Sequence, residues 1–61
     1  MIIQKPASHT MLVTVTIGSK DSPISWCAYI RPQDRDAGII STWNTHTHTL
    51  SDRPASQIKI A

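Results

Sequence analysis

Two histidines separated by one residue, His46-Thr47-His48, have the spacing in this sequence that best suits chemistry. Residues two apart on an extended strand point to the same side, so both imidazoles can serve one Zn²⁺ ion if a third ligand joins them. His9 is the candidate third ligand, with Asp52 and Cys27 as further donors. A structural zinc site is usually built from two ligand pairs at set spacings, and this chain has no second pair and no glutamate. His9, His46 and His48 therefore remain secondary candidates. The expectation is an exposed polar strand or loop with no metal and no cofactor. The pair also suggests a pH response, because imidazoles titrate at about pH 6.5 and two neighbours on one face repel once protonated.

Cys27 is the one thiol, and Arg31 lies on the same side of its strand. A reactive thiolate needs an electropositive, partly exposed site. A free cysteine is more often a small buried hydrophobe, and a semi-buried Cys27 is the plainer reading. A Cys-His nucleophile would also need an orienting group and an oxyanion site, which a chain of 61 residues has little scaffold to supply. The only glycines, Gly18 and Gly38, form no phosphate loop. Asp34 and Asp36 flank Arg35 as a neutralised surface trio rather than a catalytic pair. A protein that is not an enzyme is expected.

The remaining chemistry lies in the aromatic and cationic residues. Trp26 is assigned to the core. Trp43 and Tyr29, with Arg31, Arg35 and Lys59, suit either a stacking surface for single-stranded nucleic acid or anchors in a protein interface. Nucleic-acid binding normally rests on clustered positive charge, and here the net charge is +2 with no like-charge block. The protein-interface reading asks less of the sequence.

These side chains are positioned by strands. In residues 11–17, Met11, Val13, Val15 and Ile17 alternate with Leu12, Thr14 and Thr16; in residues 24–31, Ile24, Trp26, Ala28 and Ile30 alternate with Ser25, Cys27, Tyr29 and Arg31. The segment Gly18-Ser19-Lys20-Asp21-Ser22-Pro23 separates them as a hairpin loop of four to six residues. Pairing Ile17 with Ile24 places Val15 opposite Trp26, Val13 opposite Ala28 and Met11 opposite Ile30. A one-residue slip would split this apolar set between two faces. The opposite face carries Leu12, Thr14, Thr16, Ser25, Cys27, Tyr29 and Arg31.

Elsewhere, residues 1–5 read as a short strand ended by Pro6, and residues 31–38 as one short turn opened by Pro32 and closed by Gly38. Residues 39–50 read as one strand, because threonine-rich sequence favours strand over helix, with Ile40, Thr42, Asn44, His46, His48 and Leu50 on one face. Residues 51–56 read as a loop and 57–61 as a closing strand. The predicted fold is mostly β, a small antiparallel sheet or partly closed barrel built on the 11–31 hairpin. The alternative is α+β, with a short helix within 34–47 and a final strand.

A single domain spanning 1–61 is the limit at this length, and such a domain buries only about 60% of its unfolded surface. One cysteine excludes an internal disulfide, which favours a partner or a second copy as added support. Hydrophobic residues make up 39% and charged residues 16%, which is not the composition of a disordered chain. No apolar run approaches the roughly 20 residues needed to cross a bilayer. The start of the chain lacks the pattern of a secretory signal, so a cytoplasmic location is expected. The functional expectation is a small protein that occupies a surface of a partner protein through Leu12, Tyr29, Arg31, Arg35 and Trp43, with homodimerisation as a second expectation. Short motif-free chains are frequent phage or mobile-element products, which suggests a host-directed inhibitor or regulator. The alternatives are a small nucleic-acid-binding barrel and a histidine-dependent metal-binding domain.

Overall fold

The computed structural model describes residues 4–60, which form one five-stranded antiparallel sheet. Strands β1 (Met11–Gly18) and β2 (Pro23–Ile30) make the central hairpin. They pair as alternation requires, Met11 with Ile30, Val13 with Ala28, Val15 with Trp26 and Ile17 with Ile24. The four-residue loop between them starts at Gly18, whose φ of +96° lies in the left-handed region that glycine enters at no steric cost. Ser19 fixes the bend, its carbonyl and hydroxyl both accepting from the Ser22 amide.

β3 (Ile39–Asn44) pairs with β2, β4 (Thr49–Pro54) pairs with β3, and β5 (Ile58–Ile60) returns to pair with β1. The order across the sheet is β4-β3-β2-β1-β5. Two 3₁₀ turns, Pro32–Asp34 and Ala55–Gln57, complete the described structure. The first has proline at its opening, as the sequence implies. Residues 34–47 hold no helix longer than that turn; β3 occupies the segment instead.

The connection from β4 to β5 dictates how the sheet curves. These are its two edges, which in a flat sheet would stand about 19 Å apart, four strand spacings. The link Ala55–Gln57 spans at most about 14 Å even when fully extended. The sheet must therefore coil, and a hydrogen bond from the Ala55 amide to the Gly38 carbonyl (2.9 Å) fastens the crossing segment. No ladder joins β4 to β5 among the described residues, so the coiled sheet stays open.

The concave face holds the core: Val13, Val15, Ala28, Ile30 and Ile40, with Met11, Ile17, Trp26, Ala37, Ala55 and Ile58 packed around it. Trp26 sits at the rim rather than the centre. The β2–β3 ladder ends at the pair Ala28–Asn44, which leaves Trp26 and the exposed Ile24 on a ribbon that projects past β3.

Three further expectations are corrected. Residues 39–50 are not one strand, because Thr45-Thr47 and their neighbours form a turn between β3 and β4. Asn44 drives it, with its side-chain oxygen accepting from the amides of His46 (2.7 Å) and Thr47 (3.2 Å) and its carbonyl accepting from the His48 amide (2.9 Å). The turn also moves Leu50 to the face opposite Ile40, where it pairs with Trp43. Residues 51–56 are largely strand: β3 offers a free edge, and ladder pairing outweighs the loop-like composition. Pro54 is tolerated because β4 is an edge strand. The strand expected over 1–5 falls partly outside the described residues; Gln4 and Lys5 are not in a strand.

Candidate functional surface

One cross-strand row dominates the convex face. Leu12 on β1 pairs with Tyr29 on β2, Tyr29 with Trp43 on β3, and Trp43 with Leu50 on β4. Four large side chains from four strands thus lie side by side on the face turned away from the core. The two ends are open, Leu12 at 45% and Leu50 at 51% exposure, while Trp43 in the middle is only 5% exposed. Ile39, on the same face of β3, is exposed as well.

Both aromatic rings of this row are covered by basic side chains. Lys5 Nζ stands 5.2 Å from the centroid of Tyr29, anchored by a 2.7 Å hydrogen bond to the His9 carbonyl. His48 lies parallel to Trp43 at 6.2 Å between centroids. Surfaces that stack on unpaired bases need open ring faces, and one face of Tyr29 is taken by Lys5 while one face of Trp43 is taken by His48.

Residues 4–10 cross this convex face. His9 N bonds to the Pro6 carbonyl in a tight turn, and the Thr10 amide bonds to the Ile30 carbonyl as the chain enters β1. The His9 side chain is buried, with Nδ1 3.1 Å from Ser8 Oγ and Nε2 3.1 Å from Ser41 Oγ. Burial holds its pKa below the ordinary histidine value, and the positive charges of Arg31 and Lys5 add to that, against a smaller upward pull from Asp34.

Of the interface candidates read from sequence, Leu12, Tyr29 and Trp43 fall in the single row. Arg31 follows Tyr29 by two residues and is held by Asp34 at 2.6 Å. Arg35 is exposed beyond the 3₁₀ turn and belongs to no strand. Leu50 and Ile39 are additional members of the surface. Recognising the turn signal of Asn44 would have placed Leu50 there, since a four-residue turn resets which side chains share a face.

The metal candidates are not gathered. His46 and His48 sit in the exposed turn, so the strand geometry that would have aligned their rings is absent. His9 is engaged by two serines, and among the described residues no three His, Cys, Asp or Glu side chains cluster to hold an ion. The expected repulsion between His46 and His48 on one strand face loses its basis for the same reason. Cys27 is exposed rather than semi-buried, because the β3 ladder stops one residue short of it. Its carbonyl accepts from both the amide (3.3 Å) and the hydroxyl (2.9 Å) of Thr45. Among the described residues there is no cavity, and no helix is long and apolar enough to cross a membrane.

Comparison of the chain with models of protein families, with curated proteins and with solved structures finds no match, and the functional reading rests on the geometry of this surface.

Proposed function

We propose that this is a non-enzymatic binding protein whose convex sheet face occupies a surface of a partner protein. The observation that carries the reading is the Leu12–Tyr29–Trp43–Leu50 row, which leaves Leu12, Leu50 and the neighbouring Ile39 exposed around a buried tryptophan on the face turned away from the core cluster. Isolated exposed leucines are ordinary, whereas an aligned apolar row with a central tryptophan and tyrosine matches the composition of interface centres. Arg31, two residues along from Tyr29 of β2, gives that row a charged border.

The size of the molecule supports the same reading. A stable protein interface covers about 800 Å² on each partner, close to a fifth of the 4339 Å² this chain exposes. One sheet face is the surface of that scale. The finer reading is a host-directed inhibitor or regulator of phage or mobile-element origin, acting by occlusion of its target.

The test compares the wild-type chain with Leu12→Glu/Leu50→Glu as bait in extracts of the native host. Both positions are exposed, so the variant keeps its fold, checked by circular dichroism. A partner retained by the wild type and by a Lys20→Glu control, but lost with the double variant, supports the reading. A partner retained equally by all three refutes it. Light scattering on the same proteins tests homodimerisation through this face, which would also be lost in the double variant.

A further inference from the structure

We propose that residues 4–10 form a releasable strap across the convex face, latched by His9 in its neutral form and freed when that ring takes up a proton. The strap has two points of attachment besides its entry into β1. Lys5 rests on the Tyr29 ring, and His9 reaches the Ser41 hydroxyl on β3. Tyr29 and Ser41 both belong to the convex face, since Tyr29 pairs with Trp43 two residues along from Ser41. The segment therefore lies over β2 and β3, on top of the row described above.

His9 is the only part of this strap that is buried, at 5% exposure. Its latch joins residues 32 positions apart in sequence, whereas the Pro6–His9 turn and the Lys5–His9 bond are local and persist in a lifted segment. The imidazole is ringed by charge of mixed sign. Lys5 comes from the strap itself, Arg31 from the end of β2, Asp34 from the 3₁₀ turn, and Asp52 stands on β4 across from Ser41. Among the described residues Asp34 is the carboxylate whose charge favours a proton on His9, and it is already bonded to Arg31 at 2.6 Å. A proton arriving on His9 would thus meet two cations and a buried setting, with the Asp34 counter-charge committed to Arg31.

The direction of the effect follows from linkage. A released imidazole titrates at about pH 6.5, and the latched one binds its proton less readily. The latch is at full strength above about pH 6.5 and weakens as pH falls below it. At about pH 5.5 a free imidazole is protonated roughly ten to one, so release can grow up to about tenfold relative to neutral pH. The consequence for partner binding, that acid uncovers Tyr29, rests on the reading of the convex face given above; the release itself does not.

Native-state amide exchange of the full chain, corrected for intrinsic rates, tests this at about pH 7.5 and 5.5. The expected result is a rise at pH 5.5, of up to about tenfold, in opening at the Thr10 amide, whose bond to the Ile30 carbonyl is the one the lifted strap gives up, with the β1–β2 ladder unchanged. His9→Gln, which keeps a neutral hydrogen-bonding group, should show no such rise. Ser41→Ala, which removes the outer partner of the latch, should open the Thr10 amide at both pH values. The inference is overturned if opening is independent of pH, if the ladder amides rise in parallel, or if His9→Gln responds as the wild type does. Partner capture at the two pH values is read separately, so a convex face that binds nothing leaves the exchange result to stand or fall by itself.

Discussion

His48 lies flat against Trp43, their ring planes within 1° of parallel and their centroids 6.2 Å apart. The contact closes the β3–β4 turn over the middle of the convex row, and it holds His48 at a φ of +57°, where a side chain is disfavoured by roughly 1–2 kcal/mol. Parallel stacking of this kind is worth about 0.5–1.5 kcal/mol, which is on the scale of the strain it accompanies.

Two substitutions at His48 separate these effects. His48→Gly removes the strain and the stack together, so stability should change by less than about 0.5 kcal/mol while Trp43 becomes more accessible to a quencher. His48→Ala keeps the strained backbone and loses the stack, and it should cost about 1 kcal/mol in urea denaturation. Equal stability of the glycine and alanine variants would show that the turn is not strained at this position.

The two glycines should respond in opposite ways to alanine. At Gly18 a Cβ would sit 2.7 Å from the Ser22 carbonyl oxygen in a backbone region that L-residues avoid, so Gly18→Ala should destabilise by about 2 kcal/mol or more. At Gly38 a Cβ would meet nothing within 4 Å, and Gly38→Ala should be neutral or stabilising by up to about 1 kcal/mol through the unfolded state. Thermal denaturation resolves the contrast, since each kcal/mol moves the midpoint of a domain this size by roughly 4–8 °C.

The hairpin was legible because two independent signals agree on it. Alternation fixes which faces are apolar, and the glycine-to-proline loop fixes which residues meet, so the Val15–Trp26 and Val13–Ala28 pairs follow from local chemistry alone. The β3–β4 hairpin was hidden because its turn, Thr45-His46-Thr47-His48, continues the alternation of the strand before it. The deciding signal was Asn44, whose side chain substitutes for the missing backbone acceptor. β4 was hidden for a different reason: Ser51, Asp52, Arg53 and Pro54 have loop composition, and they become a strand only because β3 supplies a ladder. The burial of His9 against Ser41 is a contact between distant parts of the chain that no local spacing encodes.

The core should be steeply sensitive to truncation. Ile30 has no exposure, and Ile30→Ala should cost about 2–5 kcal/mol, against a core contribution that in a domain this small rarely exceeds about 3–5 kcal/mol. Ile24, on the same face of the same strand but beyond the β3 ladder, is exposed, and Ile24→Ala should stay within about 0.5 kcal/mol. Circular dichroism should find the first variant largely unfolded and the second native. Similar losses at both sites would mean that the projecting ribbon folds back onto the core.

The coiling of the sheet makes its own prediction through Arg53 and Trp26. Arg53 pairs with Ile40 on β3, and continuing the β2–β3 register would place Ile40 beside position 32 of the chain. Trp26 lies six residues back from there, about 20 Å along a flat strand. Yet the Arg53 guanidinium stands 5.1 Å from the centre of the Trp26 ring, so it crosses the concave side that coiling closes. The contact contributes about 0.5–1 kcal/mol as a cation–π pair, and the arginine stem adds apolar cover. Against this, Arg53 Nε and Trp26 Nε1 are both buried without a hydrogen-bond partner among the described residues, which offsets part of the gain. Arg53→Met keeps the stem and removes one of those unpaired groups, so it should leave stability within about 1 kcal/mol of wild type. Arg53→Ala strips the cover as well and should cost about 1–2 kcal/mol, with a red shift in tryptophan emission that the methionine variant lacks. An alanine variant with unchanged stability and emission would mean that the Arg53 side chain of β4 does not close over Trp26 in solution.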